Sequence, residues 1–287
     1  MRRRALLAAL AVVPLAAACG GGAPDTTTLE RLQAAGVVRV GYANEAPYAY
    51  RDTATGTLTG EAPEIARAVL AELGITEVEG VLTEFGSLIP GLQAGRFDMI
   101  AAGMYITPAR CAQVAFSNPT YSIGEALIVP AGNPLALHSY ADLRDAPDAT
   151  IGVVIGAIES TYAAGVGIDP ARIITFPDPP SAVAGVRAGR VSAYAATDLT
   201  AQDLIRRDGT GVEQATPFTD PVIDGVMVRG YGAFAFRPAD IAFREAVNRQ
   251  LTGFIGTAAH EALVAPFGFA EPQLPGEATA AALCAGA

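Results

Sequence analysis

Residues 97–110 have the sequence FDMIAAGMYITPAR, which predicts a buried strand that runs into a loop and then into the start of a helix. Thr107 can cap this helix, Pro108 suits its first position, and Arg110 falls in its first turn. A cation in a first turn opposes the helix dipole, so it is more favourable there when it faces an anion. Since Tyr105 lies on the adjoining loop, the segment predicts a site where an aromatic ring and a guanidinium hold a small carboxylated molecule.

The same local layout occurs twice, which indicates two lobes. Residues 92–102 and 186–196 each contain an apolar helix end, a glycine and then a buried strand. The copies lie about 95 residues apart, whereas solenoid repeats have periods of about 20–50 residues. Two similar α/β halves fit this spacing better, although helix–glycine–strand joints also occur in α/β folds without any repeat.

The rest of the chain supplies alternating strands and helices for both halves. The predicted strands of the first half are residues 37–40, 78–82 and 97–102, and its helices are 63–73 and 87–94. The predicted strands of the second half are residues 150–155, 173–176 and 191–196, with helices that begin at Ala157 and Pro179. A strand is also predicted over residues 124–129, and strands over 225–229 and 232–236 are predicted to return toward the first half. This alternation predicts mostly parallel sheets with binding loops at the carboxyl ends of the strands.

Two crossings of the chain are predicted to join the halves, the first at residues 130–134. Lobe 1 is predicted to comprise residues 29–131 and 232–287, and lobe 2 residues 132–231. Two crossing segments form a natural hinge, and closure about it would bury a ligand between the lobes.

Residues 1–18 are predicted to be a signal peptide and not part of the fold. Three arginines at 2–4 precede an apolar run over residues 5–18. This run is shorter than a membrane-spanning helix, which needs about 20 residues. The run ends before Cys19 and three glycines. This resembles a lipoprotein signal, so we expect an exported protein that is lipid-anchored through Cys19 at the outer face of the cell membrane or in the periplasm. Residues 19–28 follow as a polar tether. Ordinary cleavage after a small residue is the alternative.

The composition excludes several classes of partner and mechanism. Without residues 1–18 the chain keeps 16 arginines and 29 acids, a net charge of −13, which disfavours nucleic acid and anionic membrane surfaces as partners. Lysine is absent, which excludes Schiff-base chemistry and P-loop nucleotide binding. The remaining length of about 269 residues exceeds the usual single domain of about 100–150, so two domains are expected.

The cysteines and histidines predict a disulfide and no metal site. Two cysteines remain after Cys19, and in an exported protein they suggest one disulfide, Cys111–Cys284, which would fasten an alanine-rich tail. His138 and His260 lie far apart and lack neighbouring ligands, so neither a metal nor a cofactor is expected.

Three motifs carry a family resemblance: residues 38–41 (VRVG), 103–110 (GMYITPAR) and 116–119 (FSNP). With both lobes in view, the chain over roughly residues 29–270 resembles the family-3 solute-binding proteins of ABC importers. The resemblance implies a type II periplasmic-binding-protein (Venus-flytrap) α/β fold, two lobes that close over a ligand. It also implies a monomeric, non-enzymatic receptor that delivers its ligand to the permease subunits of an ABC transporter.

Members that bind amino acids suggest roles for residues in both lobes. In them the arginine that matches Arg110 holds the α-carboxylate, and an acid that matches Asp198 often holds the α-ammonium. The second lobe of this chain departs from that pattern, because the helix after Gly156 starts with Ala157-Ile158 where such members usually carry Ser or Thr. The backbone N–H groups of this helix start are expected to remain available to an anion.

Residues 44–48, 84–87 and 133–140 make the chain resemble most the ectoine/hydroxyectoine-binding subgroup. Ectoine is a cyclic amidine that carries a carboxylate. The resemblance implies that Arg110 takes the carboxylate and that Glu45 bonds the ring nitrogens. The side chains expected to enclose the ring are Tyr48, Phe85 and Tyr105, because aromatic faces attract a delocalised cation.

Simpler interpretations of these residues stay open. Arg110 can pair with a protein carboxylate, Glu45 can be a solvated loop acid, and Asp198 can cap the helix that follows it. Thr197 is equally open, and each aromatic residue can be an ordinary core or rim side chain.

Two other functions are compatible with the sequence. The same receptor can hold a polar amino acid instead of ectoine. Cyclohexadienyl dehydratases share the fold and use a cleft carboxylate as general acid, a role that Glu45 or Asp198 could fill. A carboxylate bonded to a cation is, however, a poor acid.

Overall fold

The computed structural model describes residues 26–286, which form two α/β lobes around two separate sheets. The predicted signal peptide, Cys19 and most of the predicted tether lie outside the described residues. The helices are α1 (Thr28–Ala35), α2 (Glu61–Ala71), α3 (Leu88–Gln93), α4 (Pro108–Cys111), α5 (Tyr140–Asp145), α6 (Glu159–Gly165), α7 (Pro179–Arg187), α8 (Asp198–Asp208), α9 (Ile241–Phe254), α10 (Ala258–Val264) and α11 (Ala280–Ala285). No helix within residues 26–286 is long and apolar enough to cross a membrane.

Most strands belong to one of the two lobe sheets. The first-lobe strands are β1 (Val37–Tyr42), β4 (Glu77–Leu82), β5 (Met99–Tyr105), β6 (Ala115–Phe116), β7 (Tyr121–Ile123) and β15 (Gly230–Phe236). The second-lobe strands are β8 (Glu125–Pro130), β9 (Ile151–Val154), β10 (Ile173–Phe176), β11 (Ala193–Thr197) and β12 (Val212–Gln214). Two small hairpins are β2 (Tyr50–Arg51) with β3 (Leu58–Thr59), and β13 (Val222–Ile223) with β14 (Val226–Met227).

The first-lobe sheet has the order β4-β1-β5-β15-β6, with β7 paired to β15. Strand β1 runs parallel to β4 and β5, and β15 runs antiparallel to β5. Six of the seven residues of β5 are buried, because α2 covers one face of the sheet and α3 the other. This is the burial expected of a parallel strand with helices on both sides.

The second-lobe sheet has the order β10-β9-β11-β8-β12. Its strands β9, β10 and β11 are parallel, whereas β8 is antiparallel to both β11 and β12. The parallel strands of both sheets point their carboxyl ends toward the space between the lobes, so the loops of the two lobes meet there. The predicted two-lobed α/β architecture is confirmed.

The predicted first crossing at residues 130–134 is wrong. Strand β8 pairs with later strands of the second lobe, so the chain crosses at Gly124, between β7 and β8. The boundary predicted after residue 131 therefore assigns β8 to the wrong lobe. Asp220, from the returning crossing, accepts a hydrogen bond from the Glu125 N–H at 2.6 Å. A Cβ on Gly124 would lie 2.7 Å from that carboxylate, so the crossing needs a glycine here.

The predicted strand over 225–229 is also replaced by a different structure. Hairpin β13–β14 spans residues 222–227, and β15 begins at Gly230. Gly225 has a φ of +80° at the tight turn of this hairpin, a conformation that favours glycine and ends any continuous strand.

The C-terminal tail is attached to lobe 1. Helix α11 packs against α4, and Cys111 and Cys284 form a disulfide with 5.7 Å between their Cα atoms. The bond closes a loop across a sequence separation of 173 residues. It also fixes the helix that carries Arg110 to the end of the chain.

We predict that replacing both Cys111 and Cys284 with serine lowers the free energy of unfolding by up to about 4–5 kcal/mol, because the unfolded chain regains the entropy of a long loop. Urea titration of the exported protein measures this. Wild-type protein treated with a reductant is the matched control and should unfold at the same urea concentration as the double variant. Equal stability of oxidised wild type and double variant would contradict the prediction.

Candidate ligand-binding site

A cavity with an empty volume of about 400 Å³ lies between the lobes. First-lobe residues on its wall are Glu45, Tyr48, Phe85, Gly103, Tyr105 and Arg110. Second-lobe residues on its wall are Val154, Ala157, Ile158, Glu159, Tyr194 and Thr197. The five first-lobe residues predicted from the sequence, together with Ala157 and Thr197, therefore meet in one place.

Arg110 provides the positive charge of the cavity. Thr107 caps α4 through a hydrogen bond from the Arg110 N–H to Oγ1 at 3.2 Å, which places the side chain beside the cleft. The guanidinium donates to the carbonyl oxygens of Tyr105 at 2.9 Å and Gly156 at 3.0 Å, and its Cζ lies 5.5 Å from the centre of the Phe85 ring. The ion pairs within residues 26–286 do not include Arg110. Its guanidinium is therefore not in an ion pair within this part of the chain.

Glu45 provides one negative charge from the loop after β1. Thr200, on α8 of the second lobe, donates its hydroxyl to Glu45 Oε1 at 2.8 Å. Burial raises the pKa of the Glu45 carboxyl to about 6, and the bond from Thr200 opposes that rise. Glu45 is half-buried and held in place, so it is not the freely solvated loop acid of the simpler interpretation.

Glu159 is a second acid on the cavity wall that the sequence analysis missed. It is the first residue of α6 and is buried, with Oε2 lacking any hydrogen-bond partner among the described residues. Burial, and then the charge of Glu45, raise the pKa of its carboxyl to about 7, while its own backbone N–H and Arg110 oppose the rise. An acid at a helix start is common, so only its place two residues after Ala157 could have identified it.

The start of this helix offers fewer free N–H groups to an anion than the sequence predicts. Helix α6 begins at Glu159, two residues later than predicted, and the Ala157 N–H is already bonded to the Val154 carbonyl at 3.1 Å. The backbone N–H of Glu159 is bonded to its own carboxylate, so this donor is also engaged.

Three tyrosine rings rest against glycines, where any side chain would collide with them. A Cβ built on Gly103 would lie 2.7 Å from Tyr48, and one on Gly230 would lie 2.0 Å from Tyr105. Behind them Tyr121 packs on Tyr48 with ring centres 5.1 Å apart. All three rings are buried. Tyr194 adds a fourth aromatic residue from the second lobe, one that the sequence analysis did not identify.

Asp198 does not reach the cavity, so the predicted role in holding an ammonium is wrong for this residue. Its carboxylate accepts hydrogen bonds from the side-chain amides of Gln202 at 3.0 Å and Gln214 at 2.7 Å, within the second lobe. Nor does it cap α8, because Thr197 Oγ1 accepts from the Thr200 N–H at 3.3 Å. Of these two neighbouring predicted residues, Thr197 lies on the cavity wall and Asp198 does not.

Hydrogen bonds across the cleft hold the lobes in a closed arrangement. The Tyr48 hydroxyl donates to Thr197 Oγ1 at 2.8 Å, in addition to the Thr200–Glu45 and Arg110–Gly156 bonds. Gly156 does not line the cavity but adjoins it, with a φ of +79°. A Cβ there would lie 2.6 Å from the Cα of Gly86 in the other lobe, so this glycine permits the close approach.

The described residues offer little for a metal ion. No group of three or more His, Cys, Asp or Glu side chains within residues 26–286 is arranged to hold one. The chemistry of the cavity is therefore that of one guanidinium, two carboxyl groups and several aromatic faces.

Comparison with known proteins matches the chain to one family, and the similar proteins named below are binding proteins. Residues 38–267 match the bacterial extracellular solute-binding proteins, family 3. A probable amino-acid ABC transporter periplasmic-binding protein, y4tE of Sinorhizobium fredii, is 42% identical over 244 residues, which cover 84% of this chain and 80% of the relative. The L-cystine-binding protein TcyJ of Escherichia coli is 26% identical over 71% of this chain and 75% of its own length.

Solved structures agree with this comparison. The crystal structure of EhuB in complex with hydroxyectoine has a TM-score of 0.80 and 34% identity, covering 90% of this chain and 97% of that one. The ancestral amino acid-binding protein AncCDT-1, a precursor of cyclohexadienyl dehydratase, has a TM-score of 0.72 and 28% identity, covering 84% and 99%. The relatives named here are binding proteins.

We predict that Gly230→Ala lowers the free energy of unfolding by about 1–3 kcal/mol, because the new methyl group must displace the buried Tyr105 ring. Gly253→Ala is the matched control. Nothing lies within 4 Å of a Cβ there, and alanine favours the interior of α9 by up to about 1 kcal/mol. Urea unfolding of both variants measures the difference, and equal effects of the two substitutions would contradict the proposed packing.

Proposed function

We propose that ectoine or hydroxyectoine is the ligand of this chain. The chain belongs to the bacterial extracellular solute-binding proteins, family 3. As a member of that family it is a receptor for a small, amino-acid-like solute of an ABC importer. The observation that carries the proposal is a guanidinium without a carboxylate partner at one side of an aromatic cavity, with the Glu45 carboxyl also on the wall.

The carboxylate of the ligand pairs with Arg110. The guanidinium uses two N–H groups to donate to carbonyl oxygens, and its other N–H groups remain for an anion. Its planar fork of donors matches the geometry of a carboxylate. Among the described residues, Arg110 is the one arginine on the cavity wall, so the ligand has one favourable orientation. Its positive end then lies toward the acids.

The amidinium ring lies among the aromatic side chains and donates an N–H to Glu45. A delocalised cation against an aromatic face gains roughly 0.5–2 kcal/mol for each ring. Tyr48, Phe85 and Tyr105 supply these faces from the first lobe. The likeness to EhuB, whose structure contains hydroxyectoine, supports this choice of ligand.

A polar amino acid is the second candidate. The name of the relative y4tE refers to an amino-acid transporter, and two carboxyl groups on the wall can also hold an ammonium group. Asp198, whose counterpart often holds the α-ammonium in amino-acid-binding members, bonds two glutamines outside the cavity. This favours ectoine over an α-amino acid.

A receptor role is favoured over catalysis by the state of the acids. Glu45 accepts a hydrogen bond from Thr200 and would face the ligand cation, which stabilises the carboxylate and makes it a poor proton donor.

We further propose that the protein is exported, anchored through a lipid on Cys19, monomeric, and docked on permease subunits during delivery.

Replacing Arg110 tests the carboxylate contact. We predict that Arg110→Ala weakens ectoine binding by about 2–5 kcal/mol, roughly 30-fold or more, because the ligand carboxylate is buried without a partner. Arg110→Lys should also weaken it, since an ammonium cannot form the planar fork, and Phe85→Ala should cost about 1–2 kcal/mol. Calorimetric titration with ectoine and hydroxyectoine measures these changes.

Arg249→Ala is the matched control for the loss of one positive charge, because Arg249 is exposed on α9. Its affinity should equal that of wild type. Unchanged affinity in Arg110→Ala would reject the site. Binding of glutamine or histidine without ectoine binding would replace the ligand by an amino acid.

Acid should weaken binding through Glu45. The pKa of this carboxyl is about 6 in the free protein, and a bound amidinium favours the ionised form, so the protein must lose a proton to bind below that pH. We predict that affinity falls as the pH decreases from 6 to 5, approaching tenfold per pH unit. Titrations across this range with wild type and Glu45→Gln measure it. The variant should bind weakly with no dependence on pH in this window, and a wild-type affinity that stays constant would contradict the assignment.

A further inference from the structure

Glu159 is a charged group of the cavity that the contacts proposed above leave unused. It lies on the wall, is only 6% exposed, and its Oε2 is buried without a hydrogen-bond partner among residues 26–286. A buried carboxyl oxygen without a partner is costly. A bound proton or a contact with a ligand would reduce this cost.

The charges of the closed cavity do not balance around a zwitterion. Arg110 contributes one positive charge, and Glu45 and Glu159 contribute two negative charges when both are ionised. A zwitterion adds none, so one net negative charge would remain buried, which is unfavourable in a cavity that excludes water. A single proton on one acid removes this imbalance.

Glu159 is better suited than Glu45 to receive that proton. Glu45 accepts from Thr200 and faces the positive end of the proposed ligand, and both contacts favour its ionised form. Glu159 has an unpartnered oxygen, and the desolvation of its site already raises its pKa to about 7, above the value of about 6 for Glu45.

The buried glutamate and tyrosines near Glu159 have raised pKa values, which favour their neutral forms. Glu125, at the start of β8, is buried with Oε1 unpartnered, and the Tyr140 hydroxyl donates to its Oε2 at 3.4 Å. Burial and the charge of Glu159 raise the pKa of Glu125 well above its usual range, which favours its neutral form. Burial also keeps the surrounding phenols neutral by raising their pKa values, which applies to Tyr105, Tyr140, Tyr162 and Tyr194.

On the basis of the proposed function, we propose that Glu159 is a further ligand-recognition residue, which takes one proton from solvent when the lobes close over a zwitterion and holds it while the ligand is bound. The proton adds to a carboxylate oxygen, and the closed cavity then carries no net charge. Binding of ectoine is thereby linked to proton uptake, and its affinity decreases as the pH rises above 7, approaching tenfold per pH unit.

Calorimetric titration with ectoine between pH 7.0 and 8.5, in two buffers of different ionisation enthalpy, tests this proposal. For wild type we expect uptake that approaches one proton at the alkaline end, and a dissociation constant that rises with pH. Glu159→Gln, a permanently neutral side chain of the same shape, should bind ectoine with no proton uptake and with a constant affinity. Thermal unfolding of each variant checks that it is folded.

Two control variants locate the effect. Glu125→Gln should keep the proton uptake and pH dependence of wild type, and so should Asp198→Asn, whose carboxylate lies outside the cavity. Persistence of the uptake in Glu159→Gln, or its loss in Glu125→Gln, would overturn the assignment to Glu159. Ectoine binding by wild type without proton uptake would overturn this inference alone, whereas no ectoine binding at any pH would reject the proposed ligand as well.

Discussion

This structure depends on one constraint, which is the burial of the Arg110 guanidinium without an ion pair to a carboxylate of the described residues. Arg110 bonds one carbonyl oxygen from each lobe, those of Tyr105 and Gly156. Carbonyl groups orient the guanidinium but do not neutralise it, so burial lowers the pKa of Arg110. A closed cleft is therefore most favourable with an anion inside it. This links the closure of the lobes to the presence of a carboxylated ligand.

The fold meets that constraint by bringing strand-end loops from two sheets together. Glycines permit the closest approaches, with Gly156 against Gly86 between the lobes and Gly230 beneath Tyr105 inside the first lobe. Hydroxyl groups then join the lobes through Tyr48 and Thr197. These contacts shape a cavity whose walls are aromatic and whose charges are few, which suits a small ring that carries both signs of charge.

The first-lobe part of this arrangement was predictable from sequence, whereas much of the second-lobe part was not. Glu45, Tyr48, Phe85, Tyr105 and Arg110 all lie in or beside strand-end loops, and the helix start at Pro108 fixed the place of Arg110. The second lobe departs from the usual motif at residues 157–158. Glu159 was therefore marked only by its place two residues after Ala157, and Tyr194 had no signal to mark it. Asp198 was wrong by one residue, since alternation along β11 determines which side chain faces the cleft.

Topology set a further limit on prediction. A strand over residues 124–129 was predicted, close to β8, but its partners β11 and β12 lie far along the chain. Local pattern indicates that a strand exists and does not indicate which sheet it joins. The position of the hinge at Gly124 follows only from that long-range pairing.

A crystal structure from crystals grown with ectoine tests most directly whether ectoine binds between the lobes with its carboxylate on Arg110. We expect ectoine between the lobes, with its carboxylate oxygens at hydrogen-bond distance, about 3 Å, from the Arg110 guanidinium, and with its ring among Tyr48, Phe85 and Tyr105. A cavity without ectoine at saturating concentration, or an ectoine molecule whose carboxylate points away from Arg110, would contradict it.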